Sequence, residues 1–363
     1  MNASPSIATC WHLTQWPASD QVAWARDILP GDPFDDPHYG STLALDSLKK
    51  TRKGYGRWLS FLASRSWLDS EVPALERVTR PRLRAYFRTL QKAGNASSTI
   101  SGRFTDLTMA LRILAPGNDV SWVCKPDGVT VHALLRKTQR TLVVPHSDVL
   151  LHWGLDMMDA AAVQPLKSVY LTAYRDGLLI ALFAARGRRL RSMSLLRIGR
   201  ELLRPDQVFR IELTPDQVKT KKHDRFDLPA KLTSYISHYL EVVRPILVKH
   251  GSSDDVWIGR GGRKLTAKSI QQRIFTLSLK RFGTAFGPHR FRHAIGTTAP
   301  LLDPAHPGVA AGMLGISKKV LELHYNRSGQ VQATTTFAEI TEKRRQALRN
   351  RSLWVPRRYA VSR

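Results

Sequence analysis

Between Ser41 and about Ala115 three apolar stripes recur at helical spacing, and this succession restricts the region to a helical bundle more firmly than any other feature. Tyr55, Trp58, Leu59 and Leu62 make the first stripe; Leu83, Tyr86, Phe87 and Leu90 make the second, behind Thr79 and Pro81. The third is Ile100, Phe104, Leu107, Leu111 and Leu114, spaced 4, 3, 4 and 3, behind a cap at Ser97 or Ser98. The opposite faces carry Lys49, Lys50, Arg52, Lys53 and Arg57, then Arg80, Arg82, Arg84 and Arg88, then Arg103 and Arg112. One such face is ordinary solvated surface. Basic charge on all three points to a module that grips nucleic-acid phosphate, with Lys49, Arg52, Lys53, Arg84, Arg88 and Arg103 as candidate contacts.

The chain as a whole has the same bias. It holds 56 Lys plus Arg against 29 Asp plus Glu, a formal net charge of +27, far beyond what solubility requires. The charge is uneven: residues 1–40 carry −4 and the rest +31. With 363 residues, 42% of them hydrophobic, the chain has material for two cores. Its two cysteines, Cys10 and Cys124, supply neither a disulfide framework nor zinc-ligand spacing, which predicts a reducing compartment and no metal. No basic segment followed by an apolar core opens the chain, and the longest apolar run, Leu178 to Ala185, is too short to span a bilayer. A cytoplasmic, DNA-associated protein without a membrane partner is expected.

Composition and periodicity divide the chain into five parts. Residues 1–40, rich in Pro, Asp and Trp, read as an arm that packs on something else; 41–118 are the helical DNA-gripping domain, ended by Pro116-Gly117-Asn118-Asp119. Residues 119–145, with the basic run Arg136-Lys137-Thr138-Gln139-Arg140, read as a linker. Residues 146–345 form the second domain, and 346–363 a basic tail that follows Lys343-Arg344-Arg345. In the second domain a helix runs from about Leu166 to Ala185 and stops at Arg186-Gly187. Strands follow at Val208–Leu213 and Arg225–Leu228, then helices over Leu232–Val248 and Ala267–Phe282. The fold class is therefore mainly α, with one small antiparallel sheet in a mostly helical α/β domain.

The chemistry concentrates near the C-terminus. Gly287-Pro288-His289-Arg290-Phe291-Arg292-His293 puts a proline at the first turn of a helix and sets His289 and Arg292 on one face, beside an end that attracts phosphate. Tyr325 follows in Leu323-His324-Tyr325-Asn326-Arg327 and suggests direct attack on phosphorus by a side chain. Upstream, Ala184 to Arg197 contains Gly187-Arg188-Arg189 and ends in Leu196-Arg197, and Val218-Lys219-Thr220-Lys221-Lys222 lies in the predicted hairpin. In this order the four signals resemble the tyrosine recombinases, or phage integrases, over about Pro145 to Lys343. The bundle before them resembles the core-binding domain of that family.

The resemblance implies a catalytic set of Arg189, Lys219, His289, Arg292 and Tyr325, with Arg188 and Arg191 as alternatives in the arginine box and Lys221 and Lys222 in the hairpin. It implies site-specific DNA recombination or integration through a 3′-phosphotyrosyl intermediate, needing neither metal nor ATP, on double-stranded DNA, with self-association from dimer to tetramer on the site. Two positions depart from the pattern. Ile316 stands after Leu314-Gly315, where the family has His or Trp, and cannot donate a hydrogen bond. Ser192 stands where an acidic residue is common. These departures predict a slow enzyme, the alternative being a weak or inactive DNA-binding accessory protein of a mobile element.

Overall fold

A computed structural model describes residues 10–34, 36–135, 145–218, 220, 222–249, 252–303, 306 and 308–325, the side chain of 324 excepted. The chain separates into two compact units, residues 1–141 and 142–363.

In the first unit the stripes become α2 (Leu45–Ser64), α3 (Arg80–Lys92) and α4 (Ser97–Leu114), preceded by α1 (Ala18–Asp27). Trp58, Leu59, Leu62, Leu107 and Leu111 are fully buried, and the Trp58 and Tyr86 rings meet edge to face at 5.3 Å. Thr79 caps α3 by accepting from the Arg82 amide at 3.4 Å, with Pro81 in the first turn. α2 and α4 touch at Gly54, where an added Cβ would lie 2.3 Å from the Asp106 Cβ. The region read as an arm contributes α1, whose Trp24 is buried with Trp16. Trp16 packs edge to face on Tyr55 at 4.8 Å. Asp20 accepts from the Tyr55 hydroxyl at 2.8 Å and from Arg77 Nη2 at 2.6 Å, and Arg77 is fully buried. No stripe had marked α1, because Asp20 pairs with residues 35 and 57 positions away and Trp24 is buried against Trp16. Val120, Val123, Val131 and Leu135, in the stretch read as linker, also enter this core.

The second unit begins with α5 (Ser147–Ala162) and α6 (Ser168–Arg186), which meet backbone to backbone: a Cβ on Gly154 would lie 2.6 Å from the Ala181 amide nitrogen, and one on Gly177 2.7 Å from the Gly154 carbonyl. α6 ends where Gly187 adopts φ +48°, and its amide closes on Phe183 O. The short α7 (Leu190–Ser194) follows, then an antiparallel sheet in the order β1 (Leu202–Leu203), β2 (Arg210–Leu213), β3 (Asp224–Asp227). Register pairs Ile211 with Phe226 and Leu213 with Asp224, and Ile211 and Leu213 face the core. The predicted helix over 232–248 forms as α8 (Thr233–His238), a π turn and α9 (Arg244–Val248). α10 (Ala267–Phe282), α11 (His289–Leu302), α12 (Gly308–Leu314) and α13 (Lys318–His324) complete the unit. The fold is mainly α with one small antiparallel sheet. Among the described residues no helix is long and apolar enough to cross a membrane.

Candidate active site

The site forms where the ends of α6, α11, α12 and α13 meet. α11 starts at His289 behind Pro288, so Arg292 lies one turn in and points toward the α6 terminus. Arg292 is 2% exposed; its Nη1 donates to the Gly187 carbonyl and, at 3.2 Å, to the Leu314 carbonyl, while Nη2 is buried without a partner. Gly187 is needed at that junction, because a Cβ there would lie 2.7 Å from both Ile295 and Leu314 side chains.

Tyr325 caps α13 and is 8% exposed. Its backbone amide donates to Leu321 O at 2.9 Å and its carbonyl accepts from the Thr297 hydroxyl at 3.1 Å. Gly296 leaves room for it: a Cβ at 296 would come within 2.7 Å of the Tyr325 Cβ. The Tyr325 hydroxyl accepts from Arg292 Nε at 3.4 Å, and the Arg292 guanidinium carbon lies 5.2 Å from the ring centre. His289 and His293 complete the cluster, their rings 5.5 and 5.0 Å from that of Tyr325 and 4.8 Å from each other.

Arg189 is the N-cap of α7 and half-buried. Loss of water, then the charge of Arg292, lowers its pKa from the ordinary value, yet a guanidinium keeps its proton. His289 keeps an exposed edge. Even so, desolvation, followed by the charges of Arg292, Arg189 and Arg290, pulls its imidazole below the ordinary value. The shift favours the uncharged form of the ring.

Beside this cluster opens a cleft of about 670 Å³ lined by Arg188, Arg189 and Arg292, by Thr220 and Lys222 of the β2–β3 loop, and by Gly315 and Ile316. Of the sequence candidates, Arg189, Arg292 and the alternatives Arg188 and Lys222 line this cleft, and His289 and Tyr325 stand beside it around Arg292. Lys219 and Lys221 lie outside the described residues. Ser192 ties α7 to the hairpin loop, its hydroxyl donating to Gln217 O at 3.2 Å, and Ile316 rests half-buried on the small core of Ile295, Leu314 and Leu321. The alternative Arg188 is held from one side: Nη2 meets Asp224 Oδ1 at 2.8 Å, and the guanidinium lies over the Phe226 ring at 4.4 Å. Asp224 was not singled out from the sequence, where an Asp beside a Lys run gives no signal of its own. Among the described residues no cluster of His, Cys, Asp and Glu has the arrangement of a metal site.

In the first unit Lys49, Arg52 and Lys53 are exposed along α2, and Arg84 and Arg88 along α3, where they edge a cleft floored by Phe87, Phe104 and Trp122. Arg103 is half-buried. Desolvation and then the neighbouring Arg57 lower its pKa, a sign of two cations held close together.

No protein-family model and no curated protein matches the sequence. Solved structures do match. The chain is similar to XerH site-specific recombinase bound to difH substrate in a pre-cleavage complex, at 13% identity and a TM-score of 0.54, over 87% of this chain and 94% of that one. It is similar to the post-cleavage complex of XerH with palindromic difH at 13% identity and a TM-score of 0.55, over 92% and 98%. At this identity the likeness establishes the fold, which is that of the tyrosine site-specific recombinases.

Proposed function

We propose that this protein is a tyrosine-type DNA strand transferase that cuts and rejoins double-stranded DNA at a specific site. The observation that carries the reading is the convergence of Tyr325, Arg292, Arg189 and His289 in one place, with the Arg292 guanidinium touching the Tyr325 hydroxyl. Tyr325 attacks the scissile phosphorus; the Tyr325 O–P bond forms, the bond from phosphorus to the 5′ oxygen breaks, and a 3′-phosphotyrosyl linkage remains. The tyrosine proton passes to His289, and Lys219 returns a proton to the 5′ oxygen. Arg189 and Arg292 hold the non-bridging oxygens and offset the charge that builds up on them, an effect of about 3 kcal/mol per donor, or roughly a hundredfold in rate. The retained linkage conserves the energy of the phosphodiester, so a 5′ hydroxyl of a second strand resolves it. Self-association on DNA, integration and origin in a mobile element belong to the same reading, and the exposed cations of α2 and α3 hold the flanking phosphates.

The test uses duplexes that the full chain selects from a randomised pool, nicked near the bound centre so that the cleaved fragment escapes. The wild-type protein yields an SDS-resistant adduct on Tyr325, and Tyr325→Phe binds the same duplex without forming one. An adduct formed by Tyr325→Phe, or none by a wild-type protein that binds specifically, removes the reading. The second outcome would leave a DNA-binding accessory protein, which Ile316 favours.

A further inference from the structure

Three guanidinium groups line the cleft, and the mechanism above uses two of them. The third, Arg188, sits one residue before the proposed clamp residue Arg189 and is 93% buried, with 7% of its surface exposed. Asp224 at the start of β3 takes Nη2 at 2.8 Å and Phe226 takes one face of the plane. These contacts hold the group but do not satisfy it: Nε is buried without a hydrogen-bond partner. Nη1 lies against Gly315, close enough that an added Cβ at that position would be 2.3 Å away. Gly315 has φ +58° and immediately precedes Ile316, the position from which the chain offers no donor. The cation therefore reaches the very turn whose side chain is apolar, on the wall it shares with Arg189 and Arg292.

A buried guanidinium with open donors is costly unless an anion completes it. Asp224 compensates the charge, and a single carboxylate oxygen occupies one of five N–H groups. Hence the geometry is that of a donor fixed by one partner and left open toward a second. We propose that Arg188 donates through Nη1 to a non-bridging oxygen of the scissile phosphate, and so supplies the hydrogen bond that Ile316 cannot. Asp224 and Gly315 act as positioning residues, one by fixing the guanidinium plane and the other by leaving it room. This inference rests on the strand-transfer reading of the same site.

The test compares single-turnover adduct formation on three versions of the selected nicked duplex: the scissile phosphodiester, and the two methylphosphonate diastereomers, each of which replaces one non-bridging oxygen by an uncharged methyl group. The full-length variants are Arg188→Met and Arg188→Met/Asp224→Asn, the second leaving no unpaired half-buried carboxylate. On the phosphodiester each is expected to be slower by roughly a hundredfold, and on one diastereomer alone the deficit against wild type should shrink to about threefold or less. Equal slowing on all three substrates would assign Arg188 a merely structural part, and no slowing on the phosphodiester would remove it from the site; either result overturns the proposal. Should both variants lose cooperative melting, Arg188→Lys gives the same contrast, since it keeps a cation beside Asp224 and removes the second guanidinium nitrogen that reaches Gly315. Ile316→His in the Arg188→Met background should recover part of the lost rate, and no recovery counts against a shared role. A wild-type protein that forms no adduct would remove the strand-transfer reading itself, whereas an adduct with unaffected Arg188 variants would remove this inference alone.

Discussion

Arg77 in the first unit and Arg292 in the second are both buried, at 0% and 2% exposure, and their surroundings could hardly differ more. Arg77 is neutralised by a carboxylate: both Asp20 oxygens accept from its Nη2, the Tyr55 hydroxyl donates to the same Asp20, and Asp69 O takes Nη1 at 3.2 Å, with Nε left without a partner. Arg292 meets only carbonyls and a phenol, no ion pair among the described residues reaches it, and Arg189 adds a second positive charge nearby. In the first unit a buried charge is neutralised and serves architecture, pinning α1 to the bundle. In the second no carboxylate among the described residues compensates the charge. Such an arrangement opposes folding and favours an arriving anion.

The largest effect that would sharpen this contrast is on stability. Arg77→Ala leaves Asp20 buried and unpaired, and is expected to destabilise the protein by about 3–5 kcal/mol. Arg292→Ala removes a charge that no carboxylate among the described residues compensates, so its melting temperature should fall far less or rise; thermal unfolding of the two variants side by side makes the measurement, and equal losses would break the comparison. Next, Arg292→Ala and Arg189→Ala should each slow adduct formation by roughly a hundredfold, about 3 kcal/mol, with small changes in DNA affinity. A mild Arg189→Ala would return the arginine box to its other candidates.

The pH dependence is smaller. With His289 as the proposed proton acceptor, the rate of adduct formation should fall as pH drops through the depressed imidazole pKa, with a midpoint below the ordinary 6.5. Arg290→Ala removes one neighbouring cation, and its pH–rate profile should therefore have a higher midpoint. A midpoint above 6.5 in the wild type would contradict the proton-acceptor role. Smallest of all, Lys49→Ala, Lys53→Ala or Arg88→Ala should each reduce the slope of log affinity against log salt by about 0.9 for every phosphate that the missing cation had neutralised, without changing the cleavage step.

What the sequence made legible follows the range of the interactions involved. The stripes over 55–62, 83–90 and 100–114 became α2, α3 and α4 because their information is local, and the hairpin appeared at β2 and β3 within two residues of its predicted bounds. α11 begins at His289 as the Pro288 signal implied. By contrast α1 escaped notice: its reason for being helical is the burial of Trp24 and the pairing of Asp20 with Arg77, 57 residues on. Val120, Val123, Val131 and Leu135 escaped for the same cause, being apolar residues scattered among turns without a period. At the site, His289, Arg292 and Tyr325 were visible by type and order, whereas the partnership of Arg188 with Asp224 depends on a sheet register that no local pattern encodes.

The glycine contact between α5 and α6 has a kinetic consequence. Where two helices touch through Gly154 and Gly177, neither can separate by a side-chain rotation; opening requires the whole pair to part. Amide hydrogen exchange should therefore be slowest in the facing turns of α5 and α6 and set the floor for the second unit, while α12 and α13, resting on the small separate core of Ala310, Leu314 and Leu321, exchange from a shallower opening. Tyr325 ends α13 and Arg189 follows directly on α6, so backbone exchange around Tyr325 should outpace exchange around Arg189, and the two arms of the proposed site would then move on different clocks.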